Sequence, residues 1–185
     1  MSRLHIVKYP DPVLRKKAVP VARVTLELHA FIDEMADLMY EANGVGLAAP
    51  QVGVSLRLII VDVDDRLQPL INPQLLTLEG SQTGVEGCLS LPNLHGEVTR
   101  AERVVLTGLS PRGKKLTLSG DGLWARAMQH EIDHLDGVLF TDKVDPTTMC
   151  WVTGETDPQG RLIERPTSLE EALKTFEREA CALKA

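Results

Sequence analysis

Gln129-His130-Glu131-Ile132-Asp133-His134-Leu135-Asp136-Gly137 is the stretch from which the rest of the chain can be read. It contains H-E-x-x-H, and on a helix His130 and His134 sit one turn apart on the same face. Imidazoles rooted about 6 Å apart can reach one metal ion. Glu131 falls close enough to that face to work on a water held by the metal. Leu123, Ala127, His130 and His134 are expected to share one face, with Trp124, Met128 and Leu135 on the adjacent one. Such a helix is apolar nearly all round and should be buried. Two histidines and a glutamate inside it need a reason, and a metal supplies one.

Asp121, in Gly120-Asp121-Gly122, is expected to cap this helix, and Gly137 to end it. Before it, Arg103–Leu109 and Lys115–Ser119 read as a hairpin joined by the turn Ser110-Pro111-Arg112-Gly113. Glu97–Arg100 reads as a strand, and Pro69–Glu79, interrupted by Pro73, as an irregular edge with a short strand at Leu75 and Leu76. Further upstream, Leu56–Val63 is a buried strand. Thr25 caps an amphipathic helix through Leu28, Phe31, Ile32, Met35 and Met39, with Gly44 as its stop. Asp11-Pro12 starts a short helix. Downstream, Val138–Val144 is expected to form a strand, and Asp157–Gly160 a turn between Trp151–Thr153 and Arg161–Ile163. Ser168 with Glu171 is a capping box for a terminal helix through Leu169, Leu173, Phe176 and Cys181.

The third ligand decides the chemistry, and spacing alone leaves two candidates. Glu155 lies twenty-one residues after His134, where a thermolysin-like peptidase carries its glutamate. Cys88, in Glu86-Gly87-Cys88-Leu89-Ser90, could turn its sulfur towards the helix. The glycine-rich Gly44-Val45-Gly46-Leu47-Ala48-Ala49-Pro50-Gln51 lacks the Gly-Lys-Ser/Thr ending of a phosphate loop, so a close backbone approach or a plain loop remains.

Together the three blocks around Gly46, Cys88 and His130 resemble, in order and spacing, the signature motifs of the peptide deformylases, and Val7–Ala18 adds to the likeness. The resemblance implies hydrolysis of the formyl group from the N-terminal formyl-methionine of nascent polypeptides, releasing formate. It implies Cys88, His130 and His134 as ligands of one divalent ion, with water in the fourth position. Fe(II) is the native ion it implies, with Zn, Ni or Co substituting in purified protein. Glu131 is implied as the proton carrier, the Gln51 side-chain amide and the Leu89 N–H as oxyanion donors. Val45, Gly46 and Gly87 are implied to line the substrate peptide.

Several neighbours are weighed on the residues. Glu86 and Arg100 read either as a structural ion pair steadying the Cys88 segment or as a solvated surface pair. Asp133 reads as an orienter of a ligand imidazole or as a polar helix residue. His95 stands where many bacterial members carry an arginine near the substrate entrance; an exposed loop histidine is the plainer reading. Trp124 and Arg126 are candidates to border the methionine pocket.

Bulk properties agree with an ordinary globular chain. Of 185 residues, 43% are hydrophobic and 25% charged, and the net charge of −6 argues against a nucleic-acid surface. No apolar run nears the roughly 20 residues of a membrane span. No signal peptide is recognised, and three scattered cysteines suit a reducing, cytoplasmic setting. The expected architecture is α+β, with antiparallel strands in small sheets around the central H-E-x-x-H helix and a helix at the C-terminus. Residues 1–185 are taken as one catalytic domain with a family-atypical tail over 147–185, which packs on the core, covers an edge or makes a homo-oligomer. The expected partners are formyl-methionyl chains at the ribosome, with neither nucleic-acid specificity nor membrane. The rivals are a metallopeptidase using Glu155 and a structural metal protein closed by a fourth protein ligand.

Overall fold

The computed structural model describes residues 4–182. Helix α1, Leu26–Glu41, starts where Thr25 Oγ accepts the Leu28 N–H at 3.3 Å. Its buried stripe is Leu28, Ile32, Met35, Ala36 and Met39. The stop differs from expectation: Asn43, at φ 54°, takes the left-handed position that Gly44 was expected to supply. Asparagine tolerates that conformation better than most residues.

The glycine-rich stretch is partly strand. β1, Gly46–Ala48, pairs antiparallel with β2, Leu58–Asp62, and a 3₁₀ turn over Ala49–Val52 follows β1. β2 is buried on both faces: Leu58 and Ile60 join the cluster around α1, while Ile59 and Val61 join the cluster around the H-E-x-x-H helix. Strict alternation therefore puts two helices on opposite sides of one sheet.

β3, Leu67–Glu79, is an interior strand between β2 and β6 (Arg103–Leu109), not an edge. It carries Pro73 at a register shift beside Asn72, whose φ is 52°. A bulge is where a strand accepts a residue with no N–H to donate. β6, Arg103–Leu109, and β7, Lys115–Asp121, form the expected hairpin, closed by the Gly113 N–H on Ser110 O at 2.9 Å. The first sheet thus has the order β1-β2-β3-β6-β7.

The second sheet, β4-β5-β8-β9, is built from β4 (Gln82–Cys88), β5 (Leu91–Arg100), β8 (Cys150–Thr156) and β9 (Leu162–Pro166). Between the sheets lies α2, Gly122–Leu135, which bears both histidines. It leaves β7 without a loop, the corner made by Gly122 at φ 53°. Asp121 stands at the cap position but its side chain makes no capping bond, contrary to expectation. From Ala125 to Ile132 every residue is buried. Leu123, by contrast, is 56% exposed and not part of a buried face.

Val138–Val144 is not a strand. Gly137 turns the chain at φ 74°, and a 3₁₀ turn over Phe140–Asp142 follows, with the Asp142 carboxylate accepting the Leu139 N–H at 2.8 Å. The tail packs on the second sheet: β8 lies beside β5, pairing Leu94 with Trp151 and His95 with Cys150. Helix α3, Leu169–Ala182, begins with Ser168 Oγ accepting the Glu171 N–H at 3.2 Å, as its capping sequence predicts. Phe176 is buried against the rings of Trp151 and Tyr9, at centroid distances of 5.4 and 6.4 Å. The helix runs past Cys181, as expected, and that residue is exposed.

Candidate metal centre

Cys88 ends β4, and His130 and His134 lie one turn apart on α2. The sheet and helix bring one ligand atom of each within 4.8 Å of the others. Cys88 Sγ stands 3.3 Å from His134 Nε2, and the two imidazole centroids are 5.0 Å apart. Glu155 is elsewhere. It projects from β8, faces Arg165 at 3.4 Å, and its side chain is 64% exposed. The metallopeptidase ligand set is therefore not assembled.

The histidine that begins the motif is held from behind. His130 Nδ1 is 2.9 Å from Glu86 Oε2. The Glu86 carboxylate also receives Arg100 Nε at 2.5 Å, Arg100 Nη2 at 2.8 Å and Arg126 Nη1 at 2.6 Å. A carboxylate has about four acceptor sites, and each has a donor here. The side chains of Glu86 and Arg100 are 4% and 2% exposed, so the surface-pair reading fails. Burial alone would raise the Glu86 pKa, but the hydrogen bonds from Arg100 and His130 hold the carboxyl well below its usual range. Because an ionised carboxylate only accepts, His130 carries a proton on Nδ1, which leaves Nε2 as its donor atom toward the centre.

Asp133 does not orient an imidazole. It binds Arg100 Nη1 at 2.8 Å and Lys143 Nζ at 2.7 Å, acting one layer farther out. Arg126 reaches the cleft, yet its guanidinium is committed to Glu86 and to the carbonyls of Val98 (2.9 Å) and Gln82 (3.1 Å). Trp124 packs over Gly120 in the core and is absent from the cleft lining.

Electrostatically the centre draws positive charge, taken up either as a second proton on His130 or as a cation against its Nε2. Burial opposes protonation of His130, but the Cys88 sulfur and the Glu86 carboxylate outweigh it and raise its pKa to about 10. His134 moves the other way, well below the ordinary histidine value, through burial and then through repulsion from His130. Burial raises Glu131 to about 7, the His130 and Arg100 charges partly opposing the rise. Among the described residues, Glu131 Oε2 and His134 Nδ1 are buried without a hydrogen-bond partner. An orphaned carboxylate oxygen is costly unless something polar sits against it. One thiol sulfur and two imidazoles, with Glu131 in the wall of the same cleft, suit a divalent cation with a water. The residues fit such a group.

The centre opens into a cleft of about 500 Å³, with Cys88, His130 and Glu131 in its wall. Val45, Gly46 and Gln51 line one side, and Gly87 and Leu89 another. At Gly46 a Cβ would stand 2.5 Å from Glu131 Oε1, so only glycine leaves the carboxylate in place. Gln51 is 1% exposed; its Oε1 accepts the Ala48 N–H at 2.8 Å, while its Nε2 lies 3.4 Å from both Cys88 Sγ and Ser90 Oγ. His95 is a strand residue, not an exposed loop one: it pairs with Gly87 across β4 and β5 and lines the cleft. Sequence reasoning gave no role to Lys8, whose Nζ donates to Leu89 O at 2.6 Å. No local spacing pattern could link residues so far apart in the chain.

Comparison with known proteins follows the same lines. The polypeptide deformylase family model matches residues 3–149. A peptide deformylase from Symbiobacterium thermophilum is 47% identical over 167 residues, 89% of this chain and 77% of that protein. One from Thermodesulfovibrio yellowstonii is 50% identical over 151 residues, covering 79% and 92%. The crystal structure of the Thermotoga maritima peptide deformylase superposes with a TM-score of 0.76 at 40% identity, covering 77% of this chain and 98% of that one. A plant peptide deformylase superposes at 0.81 with 32% identity over 97% of this chain and 92% of its own. With the Cys88, His130 and His134 cluster already in view, these likenesses establish that the chain belongs to the peptide deformylase family.

Proposed function

We propose that this chain is a metal-dependent hydrolase that removes the formyl group from the N-terminal formyl-methionine of nascent polypeptides. The observation that carries the reading is the convergence of Cys88, His130 and His134 beside an unpartnered, buried Glu131 oxygen in a cleft. Among the described residues that group contains three side chains, which leaves a position for water. When bound, the cation supplies Lewis acidity and makes water a nucleophile near neutral pH.

The remaining work falls to the protein. Glu131 takes a proton from the attacking water and delivers it to the departing nitrogen, so that the C–N bond breaks to give formate and a free amine. The formyl oxygen turns negative as its carbon becomes tetrahedral, and the Gln51 Nε2 amide and Leu89 N–H donate to it. Gly46 and Val45 on one side and Gly87 on the other hydrogen-bond or enclose the substrate backbone as an added strand would. Val85 and Leu123, both exposed in the cleft, offer apolar surface for the methionine side chain.

A set of one sulfur and two nitrogens suits Fe(II), Zn, Ni and Co alike; the likeness to the peptide deformylases is what supports Fe(II) as the native ion, and an Fe(II) site would leave Cys88 open to oxidation. Among the described residues no helix is long and apolar enough to cross a membrane. We place the reaction in the cytoplasm, on chains leaving the ribosome, and take residues 1–185 as one catalytic unit. The test is Glu131→Ala. It should keep the metal and lose formate release, and unchanged turnover would remove Glu131 from the mechanism.

A further inference from the structure

Three consecutive N-terminal residues tie the two loops that carry the oxyanion donors. The Val7 N–H donates to Gln51 O at 2.8 Å, and the Tyr9 N–H donates to Ser90 O at 3.0 Å. Between them Lys8 Nζ donates to Leu89 O at 2.6 Å. Leu89 and Ser90 form the two-residue connection between β4 and β5, since Cys88 pairs directly with Leu91. Both carbonyls of that connection are therefore pinned from outside, one of them by a charged donor. Charged donors make the stronger and shorter hydrogen bonds.

We propose that Lys8 is a positioning residue for the deformylation step, and that it acts by fixing the Leu89 carbonyl, which limits rotation of the preceding Cys88–Leu89 peptide whose N–H faces the developing oxyanion. The inference rests on the reading of Gln51 and Leu89 as oxyanion donors. Cys88 is fixed on one side by its pairing with Leu91, and the Leu89 carbonyl on the other by Lys8. The peptide joining them then has little freedom to swing. An oxyanion donor contributes in proportion to its alignment before the reaction, because reorientation during the step adds to the barrier. The Lys8 ammonium makes this bond from the cleft wall; it feels the charge of Cys88 but supplies no atom to the Glu86 network or the ligand set. Losing it should loosen Leu89 without dismantling the centre.

The experiment compares Lys8→Met, Lys8→Arg and Gln51→Glu in metal-loaded protein, with formyl-Met-Ala-Ser as substrate. Lys8→Met should lower kcat about tenfold, with KM, metal content and thermal midpoint close to wild type. Amide hydrogen exchange at Leu89 and Ser90 should accelerate in the same variant. Lys8→Arg, which keeps a charged donor, should restore most of the loss. If Gln51→Glu lowers kcat while Lys8→Met leaves both kcat and the exchange rates unchanged, the Lys8 assignment is wrong and the donor assignment survives. If neither variant changes kcat, the donor assignment itself fails. A fall in metal content in Lys8→Met would also overturn the proposal, because it would put Lys8 in the assembly of the centre.

Discussion

His130 Nδ1 and Glu86 Oε2 lie 2.9 Å apart, and through this contact β4 orients a ligand on α2. The sulfur two residues after Glu86 belongs to the same centre, so one strand supplies both a candidate ligand and the support for another. Such outer partners fix the tautomer and the ring plane of a ligating histidine.

Replacing Glu86 with glutamine should weaken metal binding about 10- to 100-fold, the usual cost of losing such a partner. Glu86→Ala should also destabilise the fold, because Arg100 and Arg126 would be left buried without their carboxylate; breaking a buried pair typically costs about 3–5 kcal/mol. Metal titration and denaturant unfolding measure the two effects separately. Wild-type affinity in Glu86→Gln would show that His130 needs no such support.

Gly46→Ala probes the closest approach in the cleft. The added Cβ would overlap Glu131 Oε1, so the carboxylate must move. Turnover should fall on the order of 100-fold, the scale set by misplacing a catalytic group by about 1 Å. Metal content should hold, since the three atoms nearest the added Cβ all belong to Glu131 and none to a ligand. Atomic emission together with formate release checks both halves.

Gln51→Glu isolates the donor. A glutamate retains an oxygen for the Ala48 N–H, which Gln51 Oε1 now accepts, but loses the Nε2 donor beside Cys88. Turnover should drop about 100- to 1000-fold, as when an oxyanion-hole donor is removed. A steady-state comparison with formyl-Met-Ala-Ser should show the loss mainly in kcat.

Phe176→Ala tests whether the tail and the catalytic core are one cooperative unit. Phe176 is 4% exposed and packed between Trp151 and Tyr9, and truncating a buried phenylalanine costs about 3–5 kcal/mol. A single calorimetric transition at lower temperature is expected. A new separate transition would show that residues beyond 147 fold on their own.

The residues show why parts of the molecule were legible in sequence and parts were not. α1 and α2 carry a helical period and α3 a capping box, and the β6–β7 hairpin carries its turn residues; such signals are local. β3 was harder, because Pro69 and Pro73 argue against an interior strand unless a bulge is known to accommodate Pro73. Val138–Val144 has strand-forming composition, but the Gly137 turn and the Asp142 carboxylate bend it into a 3₁₀ turn. The candidate ligands were legible because His130 and His134 share a motif and Cys88 lies in a family block. Their supports were legible only in part. Glu86 and Arg100 were paired correctly, but the Glu86–His130 contact, the commitment of Arg126 and the Lys8 bond to Leu89 depend on how strands and helix come together.

The most direct measurement is formate released from formyl-Met-Ala-Ser by metal-loaded protein, run beside an assay for cleavage of internal peptide bonds and repeated with Cys88→Ser and Glu155→Ala. The account predicts formate release without internal cleavage, sharply reduced release or metal content in Cys88→Ser, and near wild-type behaviour in Glu155→Ala. Internal cleavage that depends on Glu155, or undiminished formate release in Cys88→Ser with full metal content, would contradict it.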